Sequence, residues 1–295
     1  MIYPFYLRDN ATIGIVAPSS PCNLDITRYS CRLLNSYGYT VIPGESCFSK
    51  HGYFAGNDQL RAHDINSMFE DKSIDAIFCL RGGYGCSRIC EFLNKKIISQ
   101  NPKIFLGFSD ITVLHGIFNA HCDIVTFHGP VVSSLNESSL NECIRILKGG
   151  ECMVTGKYVY NQMQCDGIVC GGNLTLIESL IGTENEVDVN DKILILEDVG
   201  EKNYAIDRKL THLKQAGYFK KCKAIVMGCF NEGDGHISEN NLPLHKIVEE
   251  IIVPEGKPVI MEAPFGHIKL NPTIPLGAKG MITEKTLSIP SAVTH

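Results

Sequence analysis

Ile104-Phe-Leu-Gly-Phe-Ser109-Asp110 is an apolar run that stops abruptly after Phe108 and leaves a serine at its end. The following residues, Ile111-Thr-Val-Leu-His-Gly-Ile-Phe118, read as a helix opening at Asp110, so Ser109 falls on a strand-to-helix turn. Open α/β sheets bind ligands in the crevice at the carboxyl ends of their strands, where a hydroxyl is well placed for chemistry. Ser109 is therefore a candidate nucleophile, and the amide of Asp110 is placed to face an oxyanion. The same residues also suit a buried serine or aspartate that caps an ordinary helix, and this segment alone does not separate the two readings.

Outward from this stretch, short apolar runs alternate with helical patterns, the mark of βαβ units around a largely parallel sheet. Thr12-Ile-Gly-Ile-Val-Ala17 reads as a first strand closed by Pro18-Ser-Ser-Pro21, and a helix follows from about Ile26 to Tyr37. Thr40-Val-Ile42 is a short second strand. Asp58 to Glu70 reads as a helix whose apolar stripe is Leu60, Ile65, Met68 and Phe69. Asp75-Ala-Ile-Phe-Cys-Leu80 is the next strand and ends in Arg81-Gly-Gly-Tyr-Gly85. Past residue 150 the pattern changes. Asp166 to Leu174 is a strand, turn and helix opening, and Lys192-Ile-Leu-Ile-Leu196 runs directly into Glu197-Asp198-Val-Gly-Glu201. A helix from Tyr204 to Ala216, a strand over Ala224–Gly228 and the stretch Pro258–Met261 follow, then Pro264-Phe-Gly-His267 and the turns Asn271-Pro272 and Pro275-Leu-Gly277.

A chain of 295 residues lies where one core begins to split into two. The expected division is a domain over 1–150, a linker over 151–165 and a second domain over 166–295. The composition, 44% hydrophobic and 20% charged, is that of a globular protein. A net charge of -5 without a dense basic cluster argues against nucleic acid as partner. The 13 cysteines are odd in number and sit mostly inside apolar segments, as reduced core thiols of a cytosolic protein do. No Cys-x-x-Cys pair with zinc spacing occurs. The N-terminus lacks the pattern of a secretory signal, and no apolar run approaches a membrane span of roughly 20 residues.

The strand ends collect the chemistry. Gly82 or Gly83, in the turn after the Asp75–Leu80 strand, can bring a backbone amide close to a ligand, opposite the amide of residue 110. The turn lacks the Gly-x-Gly-x-x-Gly or Walker pattern of nucleotide sites. Carboxylates at the end of the buried Lys192–Leu196 strand are hard to explain as core. A serine needs a base to take its proton, ordinarily a histidine held in one tautomer by a carboxylate. Ser109, Glu197 and His267 supply these in the chain order of α/β-hydrolases, although Ile111 stands where the Gly-x-Ser-x-Gly elbow requires its last glycine. Of the ten histidines, His267 occupies the most constrained loop. His128 is its rival, and His115, on a helix, reads as packing or capping. Glu201 and Asp198 are alternatives to Glu197.

The segments Arg81–Gly85, Gly107-Phe-Ser-Asp110, Leu196–Glu201 with Tyr204-Ala-Ile-Asp-Arg208, and Gly266-His267 through Pro275-Leu-Gly277 together resemble the LD-carboxypeptidase (muramoyltetrapeptide carboxypeptidase) family of serine peptidases. Ile13-Gly-Ile-Val-Ala-Pro-Ser19 and Gly171-Gly-Asn-Leu174 are similar to that family too, and the likeness runs in order over nearly the whole chain.

The resemblance implies an N-terminal doubly wound, Rossmann- or flavodoxin-like α/β domain carrying the nucleophile. It implies a C-terminal α/β domain carrying the acid and base, with the active site between them. Ser109 would attack a carbonyl, His267 would be general base and then acid, and Glu197 would orient His267. The amides of Asp110 and Gly83 would form the oxyanion hole. Arg81 and Tyr84 are candidates for substrate contact, Arg81 through a bidentate pair with a carboxylate or, instead, a salt bridge that holds the turn. The implied reaction removes a terminal D-amino acid, typically D-Ala, from the L-residue before it in a cell-wall tetrapeptide, without metal or cofactor. It implies a cytoplasmic homodimer acting on a muropeptide. The fold also resembles the microcin C immunity peptidases, which cleave peptidyl adenylates and are associated with aromatic contacts to the base; this chain has no Trp. Outside the family, a small-ligand-binding protein without catalysis, a one-domain esterase and a thiol enzyme using Cys86 stay open.

Overall fold

In the computed structural model, which describes residues 1–231 and 242–295, the apolar runs of the first half form β1 (Thr12–Val16), β2 (Thr40–Pro43), β3 (Ala76–Cys79), β4 (Ile104–Gly107) and β5 (Thr126–His128). The later strands are β6 (Cys152–Thr155), β7 (Tyr158–Tyr160), β8 (Cys165–Asn173), β9 (Lys192–Val199), β10 (Ala224–Asn231), β11 (Val259–Met261), β12 (Ile274–Leu276), β13 (Lys279–Thr283) and β14 (Thr286–Ile289). The chain divides into two compact units. The first is Met1–Cys152 with Pro272–Ala278 and Ser291–His295; the second is Met153–Asn271 with Lys279–Pro290.

The first unit's sheet runs β12-β5-β4-β3-β1-β2. Strands β1 to β5 are mutually parallel, and their order, 2-1-3-4-5, is that of a flavodoxin-like doubly wound sheet. Ile104, Phe105 and Leu106 of β4 are fully buried, because helices cover both faces of a parallel sheet. Each such side chain stabilises the fold by roughly 2 kcal/mol. The helix Asp58–Glu70 has the bounds its periodicity predicts, and Asn57 caps it by accepting from the Leu60 amide at 2.8 Å. In this topology the chain reverses direction at β1 and β3, so the loops after β1, β3 and β4 frame the crevice at the carboxyl ends.

The second unit holds an eight-stranded mixed sheet of order β6-β14-β13-β8-β9-β10-β11-β7. Strands β8 to β11 are parallel, and β13 and β7 pair antiparallel to their neighbours β8 and β11. Its two outermost strands are consecutive in the chain. Thr155 and Tyr158 are three residues apart and can be separated by at most about 11 Å, whereas eight flat strands would span roughly 34 Å. The sheet therefore curls until its edges meet at Gly156, whose amide donates to Lys285 O while Lys157 N donates to Met261 O, each at 2.9 Å.

Two expectations are corrected. The stretch 151–165 is no free linker, because Cys152–Thr155 and Tyr158–Tyr160 are strands of the second sheet. Nor does everything after residue 166 belong to the second unit. Ile274–Leu276, read as part of a turn, is the edge strand β12, antiparallel to β5 with Pro275 opposite Phe127, and Thr294 N donates to Pro4 O at 2.9 Å. Pro275 and Gly277 read as turn residues, but proline is tolerated in an edge strand, where its missing N–H needs no partner. Among the described residues no helix is long and apolar enough to cross a membrane.

Candidate active site

Ser109 follows β4 at the head of a one-turn 3-10 segment, Ser109–Ile111, that leads into the helix Thr112–Cys122. Its φ of +67° lies in the left-handed region, a conformation that costs a non-glycine residue energy and is kept only where the surroundings impose it. Gly107 makes the elbow sterically possible: a Cβ there would lie 3.0 Å from Cys79 Cβ and from both γ carbons of Ile111. The cap positions are Phe108 for the short turn and Ile111 for the helix, neither with a side-chain capping bond. The capping reading of Ser109 therefore falls away.

The Arg81–Gly85 turn after β3 lies against this elbow. A Cβ on Gly82 would sit 3.0 Å from Ser109 Cβ and 3.2 Å from its Oγ. Gly83 has φ +122°, open to glycine and hostile to other residues. Arg81 is exposed and donates through Nη1 to Pro21 O at 3.0 Å, so it ties the turn to the loop after β1. Tyr84 is 49% exposed and stands near Tyr53 and Phe54, with ring centroids at 6.0 and 5.8 Å.

In the second unit, Glu197 directly follows the apolar run of β9: Ile193 to Leu196 and Glu197 itself are all fully buried. Its Oε2 lies 2.7 Å from His267 Nδ1. The loop that carries His267 is held from three sides. Asn271 Oδ1 accepts from Gly266 N at 2.8 Å, and Asn231 Nδ2 donates to His267 O at 2.6 Å. Gly266, at φ +106°, brings the backbone so close that a Cβ would stand 2.7 Å from Glu197 Oε2. With Nδ1 engaged by a carboxylate, the proton is held on Nδ1 and Nε2 keeps its lone pair, the tautomer a general base needs.

The rival residues have other employment. Glu201 pairs with Lys209 Nζ at 2.9 Å. Asp198 accepts from Thr175 N, Thr175 Oγ1 and Val199 N, at 3.0, 2.7 and 2.8 Å, and so anchors the start of the helix Leu174–Leu180. His115 is fully buried with Nε2 2.8 Å from Gly107 O, and burial pushes its pKa down to about 4. His128 is fully buried in β5 beside the Phe108 ring, at 5.9 Å between centroids. Burial pushes the Cys86 thiol well above its ordinary range, aided by the neighbouring Asp110, which removes the thiolate a thiol enzyme needs.

The structure thus groups Ser109, Asp110, Gly83, Arg81 and Tyr84 at the strand ends of the first unit, and Glu197 with His267 in the second. Sequence reasoning missed the asparagines around the acid–base pair. Asn173 caps the helix Leu174–Leu180 by accepting from Leu176 N at 3.2 Å, which turns its Nδ2 toward Glu197 Oε1 (3.3 Å) and Asp198 Oδ1 (3.1 Å). The signal was present in Gly171-Gly-Asn173, where two glycines lead β8 into an N-cap residue directly opposite Glu197. Among the described residues no group of three or more His, Cys, Asp or Glu side chains is arranged to hold a metal ion.

A unit built on a flavodoxin-like sheet with a serine on a strained strand-end elbow, and a second α/β unit with a histidine–carboxylate pair, are the equipment of a two-domain serine-type hydrolase. Comparison with known proteins makes the class specific. Residues 13–129 match the LD-carboxypeptidase N-terminal domain and residues 166–282 the LD-carboxypeptidase C-terminal domain. A probable murein peptide carboxypeptidase of Bacillus subtilis is 32% identical over 306 residues, covering 99% of this chain and 95% of that protein. The crystal structure of muramoyltetrapeptide carboxypeptidase from Oxalobacter formigenes matches with a TM-score of 0.88 and 27% identity, over 96% of this chain and 100% of that one. The microcin C7 self-immunity protein MccF, solved with glutamyl sulfamoyl guanosine, matches with a TM-score of 0.87 over 100% of both chains, at 21% identity a likeness of fold alone. The chain belongs to the LD-carboxypeptidase family. It is a hydrolase of the carboxypeptidase class, and the one-domain esterase reading is set aside.

Proposed function

We propose that this protein is a serine LD-carboxypeptidase that releases the terminal D-Ala from the L-centre of the diamino acid in cell-wall tetrapeptides. The observation that carries the reading is the buried Glu197 carboxylate at 2.7 Å from His267 Nδ1. Ser109 Oγ attacks the scissile carbonyl carbon while His267 Nε2 takes the hydroxyl proton. The carbonyl oxygen becomes an oxyanion and accepts from the amides of Asp110 and Gly83. Collapse breaks the C–N bond, and His267 returns the proton to the leaving D-Ala nitrogen. Water, deprotonated by the same imidazole, then cleaves the acyl-serine ester. Glu197 keeps His267 in the productive tautomer and stabilises the imidazolium. Arg81 and Tyr84, exposed beside the elbow, are the residues we assign to substrate contact, Arg81 to the terminal carboxylate. None of the 13 cysteines is in a disulfide, which supports action on wall fragments in the reducing cytoplasm. A homodimer is the expected state by family likeness.

The test is release of D-Ala from a tetrapeptide ending in L-diaminopimelate or L-Lys followed by D-Ala, read by D-amino acid oxidase. Wild type should release it, and Ser109→Ala and His267→Ala should lose several orders of magnitude. Release undiminished in Ser109→Ala would overturn the assignment. Cleavage of a peptidyl sulfamoyl adenosine with the tetrapeptide left intact would replace the substrate reading.

A further inference from the structure

The Pro18-Ser19-Ser20-Pro21 loop after β1 has no part in the reaction as derived, yet it is locked to both catalytic turns of the first unit. Asp110 and Ser19 are fully buried. Ser19 Oγ donates to Asp110 Oδ2, and Cys86 N, just past the glycine turn, donates to the same oxygen at 2.8 Å. Arg61, fully buried on the helix Asp58–Glu70, grips the residues before these two. Its Nη1 donates to Pro18 O and, at 3.0 Å, to Gly85 O, while Nη2 pairs with Asp58. Ser20 completes the contact: its N donates to Gly82 O at 3.4 Å, and its Oγ accepts from Tyr84 N at 3.3 Å.

A carboxylate and a guanidinium are thus buried together, holding the same two pairs of residues, Pro18-Ser19 and Gly85-Cys86. Burial keeps the Asp110 carboxyl above its ordinary range, a cost that the bonds from Ser19 and Cys86 and the charge of Arg61 offset. Buried ionic groups are expensive and gain little stability over apolar side chains of equal volume. What this pair does gain is a fixed distance between the Arg81–Gly85 turn and the Ser109 elbow, and an oxyanion hole loses catalysis when its donors are displaced.

We propose that Ser19, Arg61 and the Asp110 side chain are positioning residues that set the Gly83 amide against the Ser109–Asp110 elbow and so give the oxyanion hole its geometry. The proposal rests on the oxyanion-hole assignment above. It is tested by the rate at which a fluorophosphonate labels Ser109, a step in which the serine oxygen displaces fluoride from phosphorus and no peptide is needed, together with kcat and KM for D-Ala release. Ser19→Ala should slow labelling and kcat by the same factor, about 10- to 100-fold, with KM within about three-fold and little change in Tm. Asp110→Asn keeps an oxygen for both donors and should recover at least about ten-fold over Asp110→Ala. The proposal is overturned if Ser19→Ala labels at the wild-type rate, if the losses vanish per folded molecule, or if Asp110→Asn is no better than Asp110→Ala. A wild type that labels at Ser109 but releases no D-Ala overturns the substrate reading, and the labelling rates still decide the clamp. A wild type that does not label overturns both.

Discussion

Replacing Glu197 by Gln changes one atom's chemistry and almost nothing of its shape, and the surroundings dictate how the new amide must lie. Asn173 Oδ1 is committed to Leu176 N, so its Nδ2 faces the Oε1 side of residue 197 at 3.3 Å and requires an acceptor there. The amide oxygen takes that place, and the amide nitrogen is forced toward His267 Nδ1, where the carboxylate now stands at 2.7 Å. An N–H donated to Nδ1 drives the imidazole proton to Nε2, so the nitrogen that should take the serine proton already carries one. The same substitution removes the charge opposite the imidazolium. At 2.7 Å and an effective dielectric of 20, that interaction is worth about 6 kcal/mol. A ten-thousand-fold loss of rate corresponds to about 5.4 kcal/mol, so both routes lead to a fall in kcat of about 10⁴. Steady-state D-Ala release at saturating substrate measures it, with KM expected within a few-fold and Tm nearly unchanged. Glu201→Gln, which breaks the pair with Lys209, should keep kcat within about three-fold. If Glu197→Gln retained a tenth of wild-type kcat, or if Glu201→Gln were the damaged variant, the assignment of the acid would be refuted.

Gly266→Ala should lower kcat by at least about 100-fold, because its Cβ would stand 2.7 Å from Glu197 Oε2 and 2.8 Å from Glu197 Cβ and must push the carboxylate off His267. Gly256→Ala, at φ +73° with nothing within 4 Å, serves as the comparison: it should cost about 1 kcal/mol of stability from backbone strain alone and leave kcat unchanged, and equal kcat losses in both would refute the steric account. His115 gives a pH prediction. Its pKa is held down to about 4 from 6.5, so between these values the unfolded chain binds a proton that the native state refuses. Stability therefore falls as pH drops from 6.5 towards 4, by about 3 kcal/mol in all. Urea unfolding at pH 7.5 and 4.5 should show a loss smaller by about 2–3 kcal/mol in His115→Gln than in wild type, and equal losses would show that this histidine is not the source.

The buried strands and the capped helix were legible because local chemistry alone specifies them. Ile104–Gly107 and Ile193–Leu196 are continuous apolar runs that only a two-sided interior accommodates. Asp58–Glu70 carries its own period and its own cap in Asn57. The short outer strands were not legible. β6 and β7 are four and three residues long, with too little periodicity to register and with pairing partners more than a hundred residues away. β12 contains Pro275 and is followed by Gly277, so it looks like a turn until β5 is placed next to it. At the site, Ser109, Glu197 and His267 were visible as residues that end apolar segments or stand in a constrained loop. The roles of Arg61 and Ser19 were not, since a buried polar side chain announces itself only through its partners.

By itself the sequence determined which segments must be buried, that they alternate with helices in the doubly wound manner, and which strand ends carry a hydroxyl, a carboxylate and an imidazole. Those properties reside in side-chain hydrophobicity and in spacings of a few residues. The tertiary structure alone decided that Ser109 is an elbow at φ +67° and not a cap, that Glu197 rather than Glu201 meets His267, and that the Asp110 carboxylate is turned inward onto Ser19 and Cys86. Each of these depends on which of several chemically equivalent groups comes within hydrogen-bonding distance. That distance is set by residues far apart in the chain and brought together by the packing of the sheets.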